Sequence, residues 1–383
     1  MNEIKNLEKA ARRLKKAISR KEKIILFGDS DLDGTTSVLL LEETLRSSGA
    51  QDLLIYFPKW ESEDYGLNKM ALEFLAPSAP ALLVVLDCGI GNFVEIKIAK
   101  EIGFSTIIID HHEILDKLPV ADIVVDPKQK GDRYPFKKLT TVCLVYRLSE
   151  MILGAKMSPI TRQSFAELAA LGAVADMMPE EDLNAQLISM GAETIKTTLR
   201  PGLMAMIKAA ALTDKSPREI FKRFTAILNI TVVKDHLTKS YLLLKEPSIE
   251  AALDLSKGLI NQAEARNQEI FQIVEDISRK IDGSFSPIIF EGESQWPRVL
   301  SGAVASRLCN KYKKPVFIFK KDVQKSRGSV RTAHGLDAVA ALKSCAPLLL
   351  MYGGHPPAAG FTVKNENIDK LRECLEDYFL KNF

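Results

Sequence analysis

The stretch KIILFGDSDLDG, at residues 23–34, decides the fold of the first half of the chain. Its apolar half predicts a short strand buried on both faces, because a continuous run of Ile and Leu leaves no face for solvent. Three aspartates follow at once, Asp29, Asp31 and Asp33, and residues 36–48 then show a helical pattern. A strand that passes through a polar turn into a helix is the repeating unit of an α/β sheet.

The same unit recurs along the first half. Further apolar strands are predicted at 53–57, 82–86, 105–109 and 122–125, with helical patterns at 68–75 and 92–102. Strands that alternate with helices predict a mostly parallel sheet.

The second half has a different pattern. Residues 139–281 are almost entirely helical and end in a long linking helix at 258–281. Strands at 286–292, 314–320 and 328–332 then surround a helix at 299–312, and a last helix covers 366–380. We therefore expect an α/β protein with a parallel-sheet catalytic domain at 1–200, a helical connector with a linking helix at 201–282, and a smaller α/β domain at 283–383.

Composition narrows the class of protein. The chain has 383 residues, 46% of them hydrophobic and 26% charged, which is typical of a globular protein with more than one domain. The segment 1–23 is too charged for a secretory signal, and no apolar run approaches the ~18 residues of a membrane span. Five scattered cysteines form no C-x-x-C pair. We expect a cytoplasmic protein with reduced cysteines.

The distribution of charge is more informative than the net charge of +3. Residues 310–331 carry eight basic side chains and one acidic side chain, with aromatic residues among them. Such a patch suits a phosphate backbone, although a solvated protein face has the same composition.

Acidic residues follow three of the predicted strands. Asp29, Asp31 and Asp33 follow the first strand, Asp87 follows LLVVL, and the triplet Asp110, His111 and His112 follows STIII. The carboxyl ends of parallel strands form the ligand crevice of an open sheet. Carboxylates gathered there repel one another unless a cation neutralises them, and oxygen and imidazole ligands without thiolates suit Mn²⁺ or Mg²⁺. The sequence therefore predicts a divalent-metal site that can cleave a phosphate ester.

These motifs resemble those of the DHH phosphoesterase superfamily, and most closely the RecJ-type single-strand exonucleases. The resemblance rests on four ordered motifs: GDSDLDGTTS at 28–37, DCG at 87–89, DHH at 110–112, and LGAVAD at 171–176. The last domain resembles the DHHA1 domain through VASRL at 304–308, GSVR at 328–331, GGH at 353–355 and AAG at 358–360.

The resemblance assigns roles to individual residues. The metal ligands, for probably two ions, would be Asp29, Asp31, Asp33, Asp87, His111 and Asp176, with Asp87 between the ions. His112 would face the scissile phosphate, and Asp110 would orient the histidine pair. A terminal phosphate would be bound by Ser329, Arg331, a tight turn at Gly353 and Gly354, His355, and Arg266 on the linking helix.

Two departures from the family pattern bear on substrate recognition. Where RecJ-type proteins usually carry P-x-R, this chain has Pro58, Lys59 and Trp60. Either Lys59 replaces the arginine or Trp60 stacks on a base. Full-length bacterial members continue into an OB-fold, whereas this chain ends at Phe383, so we expect lower processivity.

The resemblance implies a Mn²⁺- or Mg²⁺-dependent exonuclease that holds a strand end between its two domains and releases mononucleotides. It favours single-stranded DNA over RNA and the 5′→3′ direction. Two alternatives remain: a hydrolase of oligoribonucleotides or small nucleotides, and an inactive replisome scaffold. A protein partner from replication or repair and the oligomeric state both stay open.

Overall fold

A computed structural model describes residues 3–59, 63, 66–114, 117–229, 232–283, 285–333 and 335–382. The chain divides into two compact units, residues 1–263 and 264–383. Among the described residues, no helix is long and apolar enough to cross a membrane.

The first unit is built on a parallel sheet with the strand order β2-β1-β3-β4-β5. Its strands are β1 (Ile24–Gly28), β2 (Leu53–Tyr56), β3 (Leu82–Leu86), β4 (Ser105–Ile109) and β5 (Ile123–Val125). Side chains alternate between two apolar cores: Ile24 and Leu26 enter one, and Ile25 and Phe27 enter the other. The predicted α/β fold with a parallel sheet is confirmed.

Helices cover both faces of this sheet and continue beyond it. They are α1 (Leu7–Ser19), α2 (Leu32–Ser47), α3 (Lys69–Leu75), α4 (Phe93–Ile102), α5 (Thr141–Leu153), α6 (Pro159–Ala175), α7 (Asp182–Thr194), α8 (Pro201–Ala209), α9 (Pro217–Leu228) and α10 (Lys239–Lys245). The helical region also contains a short hairpin that the sequence pattern missed, formed by β6 (Val233–Lys234) and β7 (Leu237–Thr238).

The linking helix α11 (Ile249–Lys280) begins nine residues earlier than the sequence pattern indicated. The second unit then carries the strands β8 (Ile289–Glu293), β9 (Val316–Lys321), β10 (Lys325–Arg331), β11 (Leu349–His355) and β12 (Ala358–Lys364). They pair in the order β11-β12-β10-β9-β8, and only β8 and β9 run parallel. Its helices are α12 (Ser301–Tyr312), α13 (Ala338–Ser344) and α14 (Ile368–Asn382).

Two predictions for the second unit are wrong. Gly353 and Gly354 do not form a turn, because both lie in β11 and pair with Gly360 and Ala359 of β12. The cysteines are not all reduced, since a disulfide joins Cys345, the C-cap of α13, to Cys374 in the middle of α14. Their spacing of 29 residues gave no signal for this pair.

Candidate metal centre and anion pocket

Backbone hydrogen bonds bring the acidic strand ends to one edge of the first sheet. The amide of Asp29 donates to the Leu86 carbonyl, that of Asp87 to Ile109, and that of Asp110 to Val125. Each aspartate thus extends the parallel ladder by one residue onto the neighbouring strand. Asp87 adopts φ 62°, a left-handed conformation that aspartate tolerates better than most residues.

The start of α2 supplies two more carboxylates. Asp31 is the N-cap of the helix and accepts a hydrogen bond from the Gly34 amide at 2.9 Å. A Cβ on Gly34 would lie 2.4 Å from the Asp29 carbonyl oxygen, so only glycine allows the turn to close this tightly.

The first turn of α5 fixes the position of Asp33. The backbone amides of Thr141 and Val142 donate to its two carboxylate oxygens at 2.9 and 3.0 Å. The Thr141 hydroxyl donates to Asp87 Oδ1 at 3.0 Å. One helix N-terminus therefore orients two of the predicted ligands, with a favourable dipole for their negative charge.

His111 stands at the centre of the acidic group and is fully buried. Its Nε2 lies 3.4 Å from Asp87 Oδ1, 3.5 Å from Asp176 Oδ2 and 4.0 Å from Asp33 Oδ2. Asp176, which only the family resemblance assigned as a ligand, is the C-cap of α6 and therefore reaches this cluster from the helical layer.

His112 forms a close pair with Asp110. Its Nδ1 lies 2.8 Å from Asp110 Oδ1, and Asp110 Oδ2 accepts the Ile90 amide. Burial opposes charge on both groups, but each stabilises the other. The pKa of His112 rises to about 9 because of the Asp110 charge, and the pKa of Asp110 falls below its usual range.

Three of the other carboxylates, Asp33, Asp87 and Asp176, are destabilised as anions. Burial, and then the charge of Asp31, raise the pKa of Asp33 to about 7. Burial and the charge of Asp33 raise the pKa values of both Asp87 and Asp176 well above the ordinary range for a carboxyl group. Like charges held this closely away from water favour protonation or a bound cation.

Among the described residues, three sets of donor atoms at this edge lie within 4.8 Å of one another, as a metal site requires. They are Asp33, Asp87 and His111; Asp29, Asp31 and Asp87; and Asp87, Asp110 and His112. Asp87 belongs to all three, and the first two sets consist only of predicted ligands. Carboxylate and imidazole donors fit Mn²⁺ or Mg²⁺, so the residues present suit two divalent ions that share Asp87.

The second unit places a serine and an arginine beside the first turn of α12. Ser329 and Arg331 project from the same face of β10, and Arg331 Nε donates to the Ser306 hydroxyl of α12 at 3.1 Å. A Cβ on Gly302 would lie 3.1 Å from an Arg331 guanidinium nitrogen and 3.6 Å from Ser329 Oγ. Gly302, in the first turn of α12, thus lets both polar side chains lie close to the helix backbone at its N-terminal turn, where anions bind favourably.

The other predicted contacts are more scattered. His355 ends β11. Arg266 lies on α11, where burial lowers the pKa of its guanidinium and NH2 approaches the Val299 carbonyl at 3.5 Å. Lys59 follows β2, and its backbone pairs with Glu63. Trp60 lies outside the described residues.

Sequence reasoning missed three residues of these sites. Thr141 and Gly302 have the roles described above, and Lys128 donates to the His111 carbonyl oxygen at 2.6 Å and pairs with Glu113 at 3.0 Å. For Thr141 there was no signal, because its partner Asp33 lies 108 residues away in the chain.

The first unit is an α/β unit with a cluster of buried carboxylates and imidazoles at one sheet edge, and a smaller sheet unit follows it. Comparison with known families agrees. The DHH family N-terminal domain matches residues 23–173, and the DHHA1 domain matches residues 285–381. The chain belongs to the family of proteins that combine a DHH domain with a DHHA1 domain.

Several curated proteins that are similar to this chain are RecJ exonucleases. The chain is 31% identical, over 98% of its length and 48% of the relative's, to the single-stranded-DNA-specific exonuclease RecJ of Bacillus subtilis. It superimposes with a TM-score of 0.83 and 26% identity on a structure of Thermus thermophilus RecJ in complex with Mn²⁺, covering 99% of this chain and 55% of that one. A manganese-bound exonuclease RecJ structure gives a TM-score of 0.80 and 27% identity, with 99% and 95% covered. The chain spans about half the length of the first curated relatives that it matches.

Proposed function

We propose that this protein is a Mn²⁺- or Mg²⁺-dependent exonuclease that hydrolyses terminal phosphodiester bonds of single-stranded DNA. The observation that carries the proposal is the pair of donor sets that share Asp87. The curated relatives named as single-stranded-DNA-specific exonucleases, and the RecJ structures with manganese, support the same substrate and metal.

The ligands would be the six residues at the sheet edge and its helical layer: Asp29, Asp31, Asp33, Asp87, His111 and Asp176. Ions held there supply positive charge that polarises a phosphoryl oxygen and lowers the pKa of water. The chain's own contribution is to hold the carboxylates in place through the start of α5 and the strand ladder.

His112 supplies a proton or a hydrogen bond to the phosphate. Its imidazolium is stabilised by Asp110, so Nε2 carries a proton at neutral pH while Nδ1 faces the carboxylate. A positioned imidazolium can neutralise charge on a phosphate oxygen or protonate a leaving group.

Ser329 and Arg331 would bind the terminal phosphate, because a guanidinium pairs with two phosphate oxygens and Gly302 leaves the space open. A 5′-terminal phosphate, and therefore 5′→3′ hydrolysis, is the direction we propose.

The test uses 20-nucleotide DNA and RNA strands, each with and without a 5′-phosphate and each labelled at one end, incubated with Mn²⁺. We expect labelled mononucleotide from 5′-phosphorylated DNA first. Asp87→Asn should abolish the activity, whereas Asp254→Asn, a change at an exposed position of α11, should not. Dinucleotides cleaved far faster than 20-mers would instead indicate a small-nucleotide hydrolase, and an equal rate in the Asp87 variant would refute the metal centre.

A further inference from the structure

A fourth acid lies at the edge of the first sheet, without any role so far. Asp126 directly follows β5, just as Asp87 follows β3 and Asp110 follows β4. Its side chain is fully buried. The Lys128 amide donates to its Oδ1 at 2.7 Å, whereas Oδ2 has no hydrogen-bond partner among the described residues. A buried polar atom without a partner is costly, so the presence of an acid here needs a reason other than stability.

Asp126 opens a tight turn over residues 126–129. Its position before Pro127 favours turn initiation, and the Gln129 amide closes the turn by donating to the Asp126 carbonyl oxygen at 3.1 Å. The bond from the Lys128 amide to Asp126 Oδ1 braces the same turn from inside. The buried side chain of Gln129 anchors it to β5, because Nε2 donates to the Val124 carbonyl oxygen at 3.1 Å. The turn therefore fixes the point from which the Lys128 side chain extends.

The Lys128 side chain crosses from this turn to the loop that follows β4. Its Nζ donates to the His111 carbonyl oxygen at 2.6 Å and pairs with Glu113 Oε1 at 3.0 Å. Only 12% of the side chain is exposed, so little water competes for the ammonium group. A hydrogen bond from a charged donor in such surroundings is stronger than a neutral one. Lys128 thus holds the loop by its backbone.

The carbonyl group that Lys128 holds belongs to the peptide between His111 and His112. On one side of this peptide the His111 ring lies among the acids, and on the other side the His112 ring pairs with Asp110. The amide of the same peptide, that of His112, donates to Asp110 Oδ1 at 3.1 Å. A cation therefore holds the carbonyl end of the peptide and a carboxylate holds the amide end. Rotation of the peptide would displace both imidazole rings at once.

The Lys128 ammonium also acts on acids to either side of it. Burial, and then the charge of Asp110, raise the pKa of Asp126 to about 7, and the Lys128 charge opposes this rise. Burial and the charge of Asp33 raise the pKa of Asp176 well above its usual range, and Lys128 opposes that rise as well. The ammonium is therefore close enough to both acids to stabilise them as anions.

We propose that Lys128 is a positioning residue for the two histidines, and that Asp126 is the residue that places Lys128. Lys128 fixes the peptide between His111 and His112, so that one ring stays at the metal centre while the other faces the phosphate. Asp126 acts through the turn that carries Lys128. The proposal rests on the exonuclease function and adds to it two residues that act without contact to the substrate.

The first test is steady-state hydrolysis of a 5′-phosphorylated 12-nucleotide DNA strand by the full chain with Mn²⁺. The variants are Lys128→Met, Lys128→Arg, Asp126→Ala, and Asp126→Ala combined with Lys128→Met. Lys130→Met is the matched control, because it removes an exposed cation two residues further along the same loop. Thermal melting in EDTA verifies that each variant is folded, and Lys128→Gln serves if Lys128→Met is not.

We expect Lys128→Met to lower kcat about 10- to 100-fold with KM within twofold, the usual effect of losing a group that orients a metal ligand. Lys128→Arg should recover most of the loss, because it keeps a cation that donates hydrogen bonds. Asp126→Ala should lower kcat too, yet the combined variant should be no slower than Lys128→Met, since two residues in one line of contacts are not additive. Lys130→Met should stay within twofold of the unchanged protein.

Nuclear magnetic resonance of the metal-free protein gives a second readout that does not depend on hydrolysis. The HNCO cross-peak of His112 correlates its amide with the His111 carbonyl carbon. This carbon should shift upfield in Lys128→Met and in Asp126→Ala, because its oxygen loses a charged hydrogen bond. It should keep its position in Lys130→Met.

The outcomes separate the positioning role from the function on which it rests. If the unchanged protein hydrolyses the strand and Lys128→Met keeps its kcat, the positioning role is refuted and the exonuclease proposal stands. A raised KM with kcat preserved would also overturn it, because Lys128 would then bind the substrate itself. A combined variant that is slower by the full factor of Asp126→Ala would show that Asp126 does not act through Lys128. If the unchanged protein does not hydrolyse the strand, the exonuclease proposal fails, and the carbonyl shift alone decides whether Lys128 holds the histidine peptide.

Discussion

His112 Nδ1 lies 2.8 Å from Asp110 Oδ1, and the same oxygen accepts the backbone amides of His111 and His112. Three donors converge on one buried carboxylate oxygen, while Oδ2 accepts the Ile90 amide. Such a carboxylate stays ionised, and it stabilises the imidazolium beside it. Asp110 therefore sets both the orientation and the charge of His112.

Removal of the Asp110 charge should lower the pKa of His112. In the metal-free protein, an NMR titration of the ring protons should place the His112 transition near pH 9. Asp110→Asn should move the transition to lower pH, because burial then acts against only the smaller contributions of Asp176 and Asp29. His112→Gln assigns the resonance. A transition near pH 6.5 in the unchanged protein would contradict the ion pair.

Asp87→Asn should stabilise the metal-free protein at neutral pH by about 1–2 kcal/mol, since it removes one of several buried like charges. Asparagine also tolerates the left-handed φ of 62° at this position. Thermal melting in EDTA measures the gain, with Asp254→Asn as the exposed control.

The gain should depend on pH with a definite sign. The folded-state pKa of Asp87 is raised, so the native protein binds this proton more tightly than the unfolded chain does. The carboxyl group therefore costs nothing below its ordinary pKa near 3.8, and its cost grows as pH rises through the folded value. The difference between variant and unchanged protein should be smallest at pH 4 and should grow as the pH rises. Saturating Mn²⁺ should reverse it, because the ion stabilises the unchanged protein by about 2.7 kcal/mol at 100 times its Kd.

The local pattern predicted the sheet and its acidic edge because strand, turn and helix signals lie within a dozen residues of one another. The motifs that begin at Asp29, Asp87 and Asp110 each follow closely on an apolar strand: KIILF, LLVVL and STIII. Contacts between distant segments carry no such signal. The Thr141 donors to Asp33 and the approach of Gly302 to Arg331 arise only when separate elements pack. Gly353 and Gly354 were predicted as a turn because paired glycines usually mark one, yet here the β12 partner strand determines their conformation.

Thr141→Val should weaken Mn²⁺ binding several-fold with little change in the melting temperature of the metal-free protein. Valine keeps the shape and the backbone amide bound to Asp33, but it cannot donate to Asp87 Oδ1. Asp87 then loses the hydrogen bond that orients it. Isothermal titration with Mn²⁺ measures the effect, and Thr141→Ser should restore affinity. Unchanged affinity in the valine variant would show that the hydroxyl does not position Asp87.

Gly302→Val should abolish the preference for a 5′-phosphorylated strand while leaving the metal centre intact. Its Cβ would lie 3.1 Å from the Arg331 guanidinium and 3.6 Å from Ser329 Oγ, so the two methyl groups would occupy the space beside them. A glycine in the first turn of α12 is also costly for helix stability, and its replacement should not unfold the unit. The measurement is the ratio of initial rates on 20-mers with and without a 5′-phosphate, which should fall toward one, alongside Mn²⁺ affinity, which should not change. Gly258→Val, at an open position on α11, is the matched control. A ratio that stays at the value of the unchanged protein would mean that the terminal phosphate binds elsewhere, because no phosphate could enter beside Ser329 and Arg331 in this variant.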